Sequence, residues 1–343
     1  FFFKQKTAYE IPKRDWSSDV CSSDLYVVLA GRPGDGKTSY GMNIVKYLAK
    51  EHEHWFATGE KNEDGTPKMD HCTGIPVGIF SIEMDSNSIG YRLLFEEAGI
   101  NLATFNQGFS TEGDQQKLIG AAARLAKTNI YIDDSPAQSI GQIAAKARRM
   151  VKQYGIKLFV LDYLQLVETD EGNGYDRVKE LTKISRKIMA LKKSLNVPWL
   201  VMAQMNRNIE QAEAKRVPVL SDLKDCGAIE QDADVVMFLY KPDRKEVYDA
   251  KESQGGRSDM ELIEEAFPTK EDKNSQPRRV NLYVAKNRFG PTGKVEFLFQ
   301  NNLCRFTDWH QFKVKYGFEE KNKGESDRSL GLDSPEPQPQ EEP

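Results

Sequence analysis

The sequence is poor in the residues that staple small secreted folds or carry a chain through a membrane. Its 343 residues hold four cysteines, Cys21, Cys72, Cys226 and Cys304, with no C-x-x-C pair among them, which argues against a disulfide framework. The expected setting is reduced and cytoplasmic. No stretch approaches the roughly 18 consecutive apolar residues of a membrane span. Histidine is scarce too, and three of the four, His52, His54 and His71, lie with Cys72 in one polar, glycine-punctuated stretch, residues 51–75. Their spacing matches no usual zinc-ligand pattern, so this stretch is read as a surface insertion, a solvated hairpin or loop.

Charge of one sign is also missing from the body of the chain. The formal net charge is −4, but residues 317–343 alone carry eight acids against three bases and end in PEPQPQEEP, the composition of an acidic disordered tail. Residues 1–25 are balanced and lack both helical and strand periodicity. Their text, KQKTAYEI followed by DWSSDVCSSDL, looks like a translated sequencing adapter, and they are set aside as a non-native, adapter-derived segment. What remains, residues 26–316, has a net charge of +1, so overall acidity says little against nucleic-acid binding. A hydrophobic content of 39% suffices for a proper core.

That core begins at YVVLAGRPGDGKTSY. Tyr26 to Ala30 is an apolar run suited to a buried parallel strand, and it breaks into a loop carrying Gly31, Gly34 and Gly36, then Lys37, Thr38 and Ser39. G-x-x-x-x-G-K-[ST] is a phosphate-binding loop. Glycine lets main-chain N–H groups converge on phosphate oxygens, and the helix that follows aims its positive end at the same point. Lys37 is placed to reach the β- and γ-phosphates of ATP and Thr38 to ligate Mg²⁺.

Further apolar runs end in polar residues at what a parallel sheet makes the same edge. Pro76 to Phe80 is followed by Glu83, which either polarises an attacking water or caps the helix expected at 87–98; spacing alone leaves both open. Ile156 to Leu161 lifts Asp162 into a Walker B position beside the loop, where it supports the metal. Val197 to Ala203 ends in Gln204, an amide suited to sensing a γ-phosphate. Helices are expected over 118–126, 140–154 and 176–195, a strand over 130–132 and another over 234–240. Two polar segments, 168–175 and 208–217, are read as a mobile loop and a flexible, ligand-facing loop. The charged stretch 241–278 is an excursion between neighbouring strands. Val280 to Ala285 and Gly293 to Phe299 form a hairpin across KNRFGPTG, and composition alone makes Lys286 and Arg288 part of a solvated turn.

In succession, GRPGDGKT, FSIEM, LDYLQL, MAQMNR, LSDLKDCGAIEQDADVVMFLY and KNRFGPTG closely resemble the C-terminal motor domain of replicative DNA helicases of the DnaB type, in that family's order and across nearly all of residues 26–299. The resemblance implies an α/β, RecA-like P-loop NTPase core, with a mostly parallel sheet flanked by helices and a C-terminal β-hairpin. It implies that Glu83 is the catalytic carboxylate, that Gln204 is the γ-phosphate sensor, and that Lys286 and Arg288 form a basic finger serving a neighbouring subunit's ATP site. It also implies a homohexamer translocating 5′-to-3′ on single-stranded DNA, bacterial or phage-encoded, with primase and a helicase loader as partners of the full-length protein. Arg177, Arg207, Lys215 and Arg216, in or beside the two loops, are the candidate DNA-phosphate contacts. Against the resemblance, a fold that begins at the core strand is expected to be without the family's N-terminal domain and linker helix, and the insertion at 51–75 is longer than the family's usual connector. Two other readings of a RecA-like core are a recombinase that holds a filament on DNA and a signalling ATPase that unwinds nothing. LDYLQL and the KNR finger favour the ring helicase over both.

Overall fold

The computed structural model describes residues 24–50, 53–61, 66–102, 105, 107–108, 111–170, 176–205, 217–223, 227–242, 258–267 and 277–316, with 53–61 and 67–73 given by backbone alone. In chain order, β1 (Tyr26–Gly31) passes through residues 32–36 into α1 (Lys37–Ala49). The insertion follows as β2 (Glu53–Lys61) and β3 (Pro67–Thr73), and then β4 (Val77–Ser81) leads to α2 (Ser86–Ala98). Next come α3 (Glu112–Leu125), β5 (Ile130–Asp133), α4 (Ile140–Tyr154), β6 (Leu158–Asp162), α5 (Arg177–Leu195) and β7 (Trp199–Gln204). The chain continues through α6 (Gly227–Asp232), β8 (Val235–Tyr240), α7 (Asp259–Ala266), β9 (Arg278–Asn287), β10 (Gly293–Gln300), β11 (Arg305–Asp308) and α8 (Trp309–Lys315).

The apolar runs are continuous rather than alternating because the central strands are covered on both faces. Alternation within each run then divides its side chains between two helical layers. Val27 and Leu29 of β1 face one side with Val160, Leu200 and Met202, against Met42 and Val45 of α1 and Ile89 of α2. Tyr26, Val28 and Ala30 face the other with Phe159, Trp199 and Val201, against Ile143 and Ala147 of α4 and Ile184 and Ile188 of α5. The second layer centres on an aromatic group: Phe159 lies 4.7 Å from Trp199 and 5.6 Å from Phe80, ring centre to ring centre. Gly78 makes room for it, since a Cβ there would sit 2.7 Å from the Phe159 ring.

The nine strands order as β11-β10-β9-β8-β1-β7-β6-β4-β5, and β2 and β3 form an antiparallel ribbon of their own. From β8 to β5 the strands run parallel, and β9, β10 and β11 continue the sheet in antiparallel sense. Two consequences matter for function. The carboxyl ends of β1, β4, β6 and β7 share one edge, where Gly31 stands in register with Gln204 and Ser81 with Asp162. Because β9 runs against β8, its own carboxyl end lies at the other edge, where Asn287 pairs with Val235.

The expected α/β core with a C-terminal hairpin is what the chain forms, and three local expectations change. The helix expected at 118–126 starts at Glu112, because Thr111 and Asp114 form a reciprocal cap: the Thr111 hydroxyl accepts from Asp114 N, and the Asp114 carboxylate accepts from Thr111 N. The start of the segment expected to be a mobile loop is tied down. Ile140 N donates to Glu168 O (2.9 Å), and the Asp170 carboxylate accepts from the Ser139 hydroxyl (2.7 Å) and Gly141 N (2.9 Å). Residues 171–175 lie outside the described residues, as do 1–23 and 317–343. Finally, β11 and α8 extend the fold past the expected hairpin. They close the sheet edge over α1, where Asn43 Nδ2 donates to Cys304 O (2.8 Å) and Phe306 N donates to Asn43 Oδ1 (3.0 Å).

The packing at Gly78 generates a prediction. Gly78→Val should lower stability by about 1–3 kcal/mol through overpacking against Phe159. In denaturant melts, a second substitution, Phe159→Leu, should return part of that loss. A Gly78→Val protein as stable as the parent would contradict the packing account.

Candidate nucleotide site

The phosphate loop takes its shape from two glycines in left-handed conformation, Gly34 at φ +82° and Gly36 at φ +95°. Between them Asp35 N donates to Arg32 O (3.2 Å), and the Asp35 carboxylate accepts from Arg32 N (3.2 Å). Burial pushes the Asp35 carboxyl above its ordinary range, against the pull of the Arg32 N–H and of Lys241, Arg278 and Lys37. Gly36 is also tightly enclosed: a Cβ there would lie 3.0 Å from the Phe299 and Phe306 rings, which stack with centres 4.3 Å apart. Arg278 donates to Gly34 O while lying 5.1 Å over the Phe299 ring. These supports come from the last strands of the sheet, and the motif itself gives no sign of them.

Lys37 Nζ donates to Arg32 O across the loop (3.0 Å). Burial draws its pKa down, and Asp35, Asp162 and Glu83 pull it back up. Beside it Thr38 Oγ1 donates to Asp162 Oδ2 (2.8 Å), although β7 separates the parent strands β1 and β6. Burial raises the Asp162 carboxyl above its usual range, the Thr38 hydrogen bond opposes this, and Glu83 reinforces it. A hydroxyl and a carboxylate held together at a phosphate loop are a hard-oxygen donor pair of the kind that takes Mg²⁺. Converging loop amides with one ammonium suit a polyphosphate, so the residues present fit both groups.

The two readings left open for Glu83 separate here. The N-cap of α2 is Asp85, whose carboxylate accepts from Ser88 N (2.8 Å). Glu83 is exposed on the carboxyl edge, two residues beyond Ser81, near enough for its charge to act on Lys37 and Asp162. Ser39 is buried on the first turn of α1. Gln204 closes the edge in register with Gly31.

Lys286 and Arg288 are brought together with each other and away from the loop. Lys286 Nζ donates to Glu230 O (2.6 Å) and Gln231 O (3.3 Å). Arg288 donates to Gln231 O (2.5 Å) and to Asp234 Oδ1 (3.1 Å). Burial and the Arg288 charge lower the Lys286 pKa. Asp234, which sequence reasoning passes over, is 2% exposed and also accepts from Tyr26 N (2.8 Å) and from Lys192. Its signal is the last of three closely spaced carboxylates, directly before an all-apolar strand. Arg177 is engaged within the chain, donating to Gln165 O (3.0 Å) and Val167 O (3.1 Å) and pairing with Glu180 (2.5 Å). Arg207, Lys215 and Arg216 lie outside the described residues.

A family profile described as the DnaB-like helicase C-terminal domain matches residues 18–308. The chain belongs to that family. The replicative DNA helicase DnaB of Rickettsia bellii is 33% identical over 287 residues, covering 84% of this chain and 54% of that protein. The replicative DNA helicase DnaC of Bacillus subtilis is 32% identical, over 82% of this chain and 52% of its own length. The chain thus spans about half the length of the curated relatives it matches. Among solved structures, one described as an ATPase domain superposes with a TM-score of 0.62 at 27% identity, covering 84% of this chain and 85% of that one. A DnaB-like replicative helicase described with its interactions with primase also gives 0.62 at 27%, over 83% and 57%.

The loop glycines separate two effects. Gly34 has open space where a Cβ would go, so Gly34→Ala meets only the left-handed backbone penalty of about 1–2 kcal/mol. Gly36→Ala adds the clash with Phe299 and Phe306 and should weaken nucleotide binding further, measured by titration with a fluorescent ATP analogue. Equal losses at the two positions would contradict this account of the loop.

Proposed function

We propose that this chain is the motor domain of an ATP-driven replicative DNA helicase, a homohexameric ring that travels 5′-to-3′ on single-stranded DNA and unwinds duplex at a replication fork. Primase and a helicase loader would be partners of the full-length protein, in a bacterial cytoplasm, whether the gene is bacterial or phage-borne. The observation that carries this reading is the separation of two sets of cations on one sheet. Gly31 is level with Leu239 on β8, whereas Arg288 N bonds to Asp234 O, five residues back, or about 16 Å of strand. A basic pair at the far edge has no path to its own phosphate loop and suits the site of an adjacent subunit. Sites completed in trans make hydrolysis depend on assembly and allow it to pass around a ring.

In this scheme the loop N–H groups bind the phosphates of ATP, and Lys37 exchanges Arg32 O for a phosphate oxygen. Thr38 and Asp162 would hold Mg²⁺, which neutralises charge developing on the phosphates when bound. Glu83 accepts a proton from the attacking water. As the new P–O bond forms, the bond to the β-phosphate oxygen breaks and ADP carries away that electron pair. Gln204 contacts the γ-phosphate, and the partner subunit's basic pair stabilises the transition state. Arg207, Lys215 and Arg216, with Arg177 at the root of the first loop, are the basic residues offered to DNA phosphates.

A single variant, a subunit-mixing experiment and a forked-duplex assay with full-length protein test this. Arg288→Ala should retain ATP binding and lose about 1,000-fold or more in turnover. Mixed with inactive Glu83→Ala subunits, it should regain measurable activity, because some interfaces then hold an intact carboxylate and an intact finger. Normal turnover by Arg288→Ala, or no recovery on mixing, would contradict action in trans. On a forked duplex, unwinding from a free 5′ tail is expected; strand exchange would point to a recombinase.

A further inference from the structure

We propose that Gln165 is the joint that makes the two candidate DNA loops move as one unit, a positioning residue rather than a catalytic one. The inference rests on the DNA-motor reading above. Gln165 lies in the single helical turn Leu164–Leu166 after β6. Its side-chain amide clasps the main chain of Gln204: Oε1 accepts from Gln204 N (3.0 Å) and Nε2 donates to Gln204 O (3.3 Å). These are the two bonds a neighbouring strand would make, so the end of β7 and the turn after β6 are locked together beyond the last backbone pairing of those strands, Leu161 with Val201.

Each partner in the clasp is the root of one loop. Val167 leads into the segment that returns at Asp176, and the Arg177 guanidinium closes its neck by donating to both Gln165 O (3.0 Å) and Val167 O (3.1 Å). Glu180, itself buried, fixes that guanidinium from the next turn of α5 (2.5 Å). The second segment leaves β7 at Met205 and returns at Leu223, and these two residues form a β-bridge. Both necks are therefore closed, and one side chain joins them. Gln204 stands in register with Gly31 at the phosphate loop, so a shift of β7's end on nucleotide binding reaches the second root along the chain and the first root through Gln165.

Only an amide of this length supplies the donor and the acceptor together. Glutamate keeps the acceptor and loses the donor, whereas methionine keeps the volume and loses both. In the full-length ring, Gln165→Met should bind ATP and turn it over without DNA within about twofold of the parent, yet lose stimulation by single-stranded DNA by about fivefold or more. Gln165→Glu should fall between the two. Hydrogen exchange gives a second readout. A non-hydrolysable ATP analogue should change exchange in residues 168–176 and 206–217 of the parent, and in 206–217 alone of Gln165→Met. Full DNA stimulation in Gln165→Met, or a parallel fall in basal turnover and ATP affinity with the stimulation ratio unchanged, would overturn the joint. Absence of DNA stimulation in the parent would instead overturn the motor reading beneath it.

Discussion

The hydrogen bond from Thr38, on the first turn of α1, to Asp162, at the end of β6, ties the helix that follows β1 to a strand that is not β1's neighbour, and the rest of the site depends on it. β7 lies between β1 and β6, so the bond forms only when three parallel strands end level with one another. The continuous burial of those strands fixes that level, because slipping any one by a residue would turn its own side chains, Val28 on β1, Phe159 on β6 or Trp199 on β7, out of their layer. Once the edge is level, Lys37, Asp162 and Glu83 come within reach of one another's charge, and Gln204 stands at the same edge, without any long-range device of their own.

The opposite edge is organised around a second buried carboxylate. Asp234 takes hydrogen bonds from Tyr26 N, Lys192 and Arg288, so the amino end of β1 and the finger share one anchor. With two cations and a main-chain N–H directed at it, the buried charge is compensated. Within one chain Lys286 and Arg288 rest on Asp234 and on the last carbonyls of α6, and in the proposed trans scheme they would exchange those partners for a neighbour's phosphate oxygens.

Much of this is legible in the sequence, for physical reasons that differ between residues. The phosphate loop, Asp162 and Gln204 can be read because each stands where an apolar run stops, and burial on both faces makes such runs unambiguous. Glu83 cannot be assigned by spacing, since a carboxylate four residues before a helical pattern fits a cap or a base equally well; Asp85 taking the cap is a fact of geometry. Lys286 and Arg288 look like turn residues in composition, and their position at the far edge follows only from the antiparallel sense of β9. Arg278, Phe299 and Phe306 support the loop from strands some 240 or more residues away, beyond the reach of any local pattern. The short β11 and α8 carry too few residues for periodicity to register.

The central claim is that one subunit grips the triphosphate while its neighbour supplies the cation that helps cleave it. The most direct measurement is a structure of the assembled full-length ring with a non-hydrolysable ATP analogue. The account predicts that the Arg288 guanidinium leaves Asp234 and lies within hydrogen-bonding distance, about 3 Å, of a γ-phosphate oxygen bound to the adjacent subunit's loop. An occupied ring in which Arg288 still rests on Asp234 at every interface would contradict it.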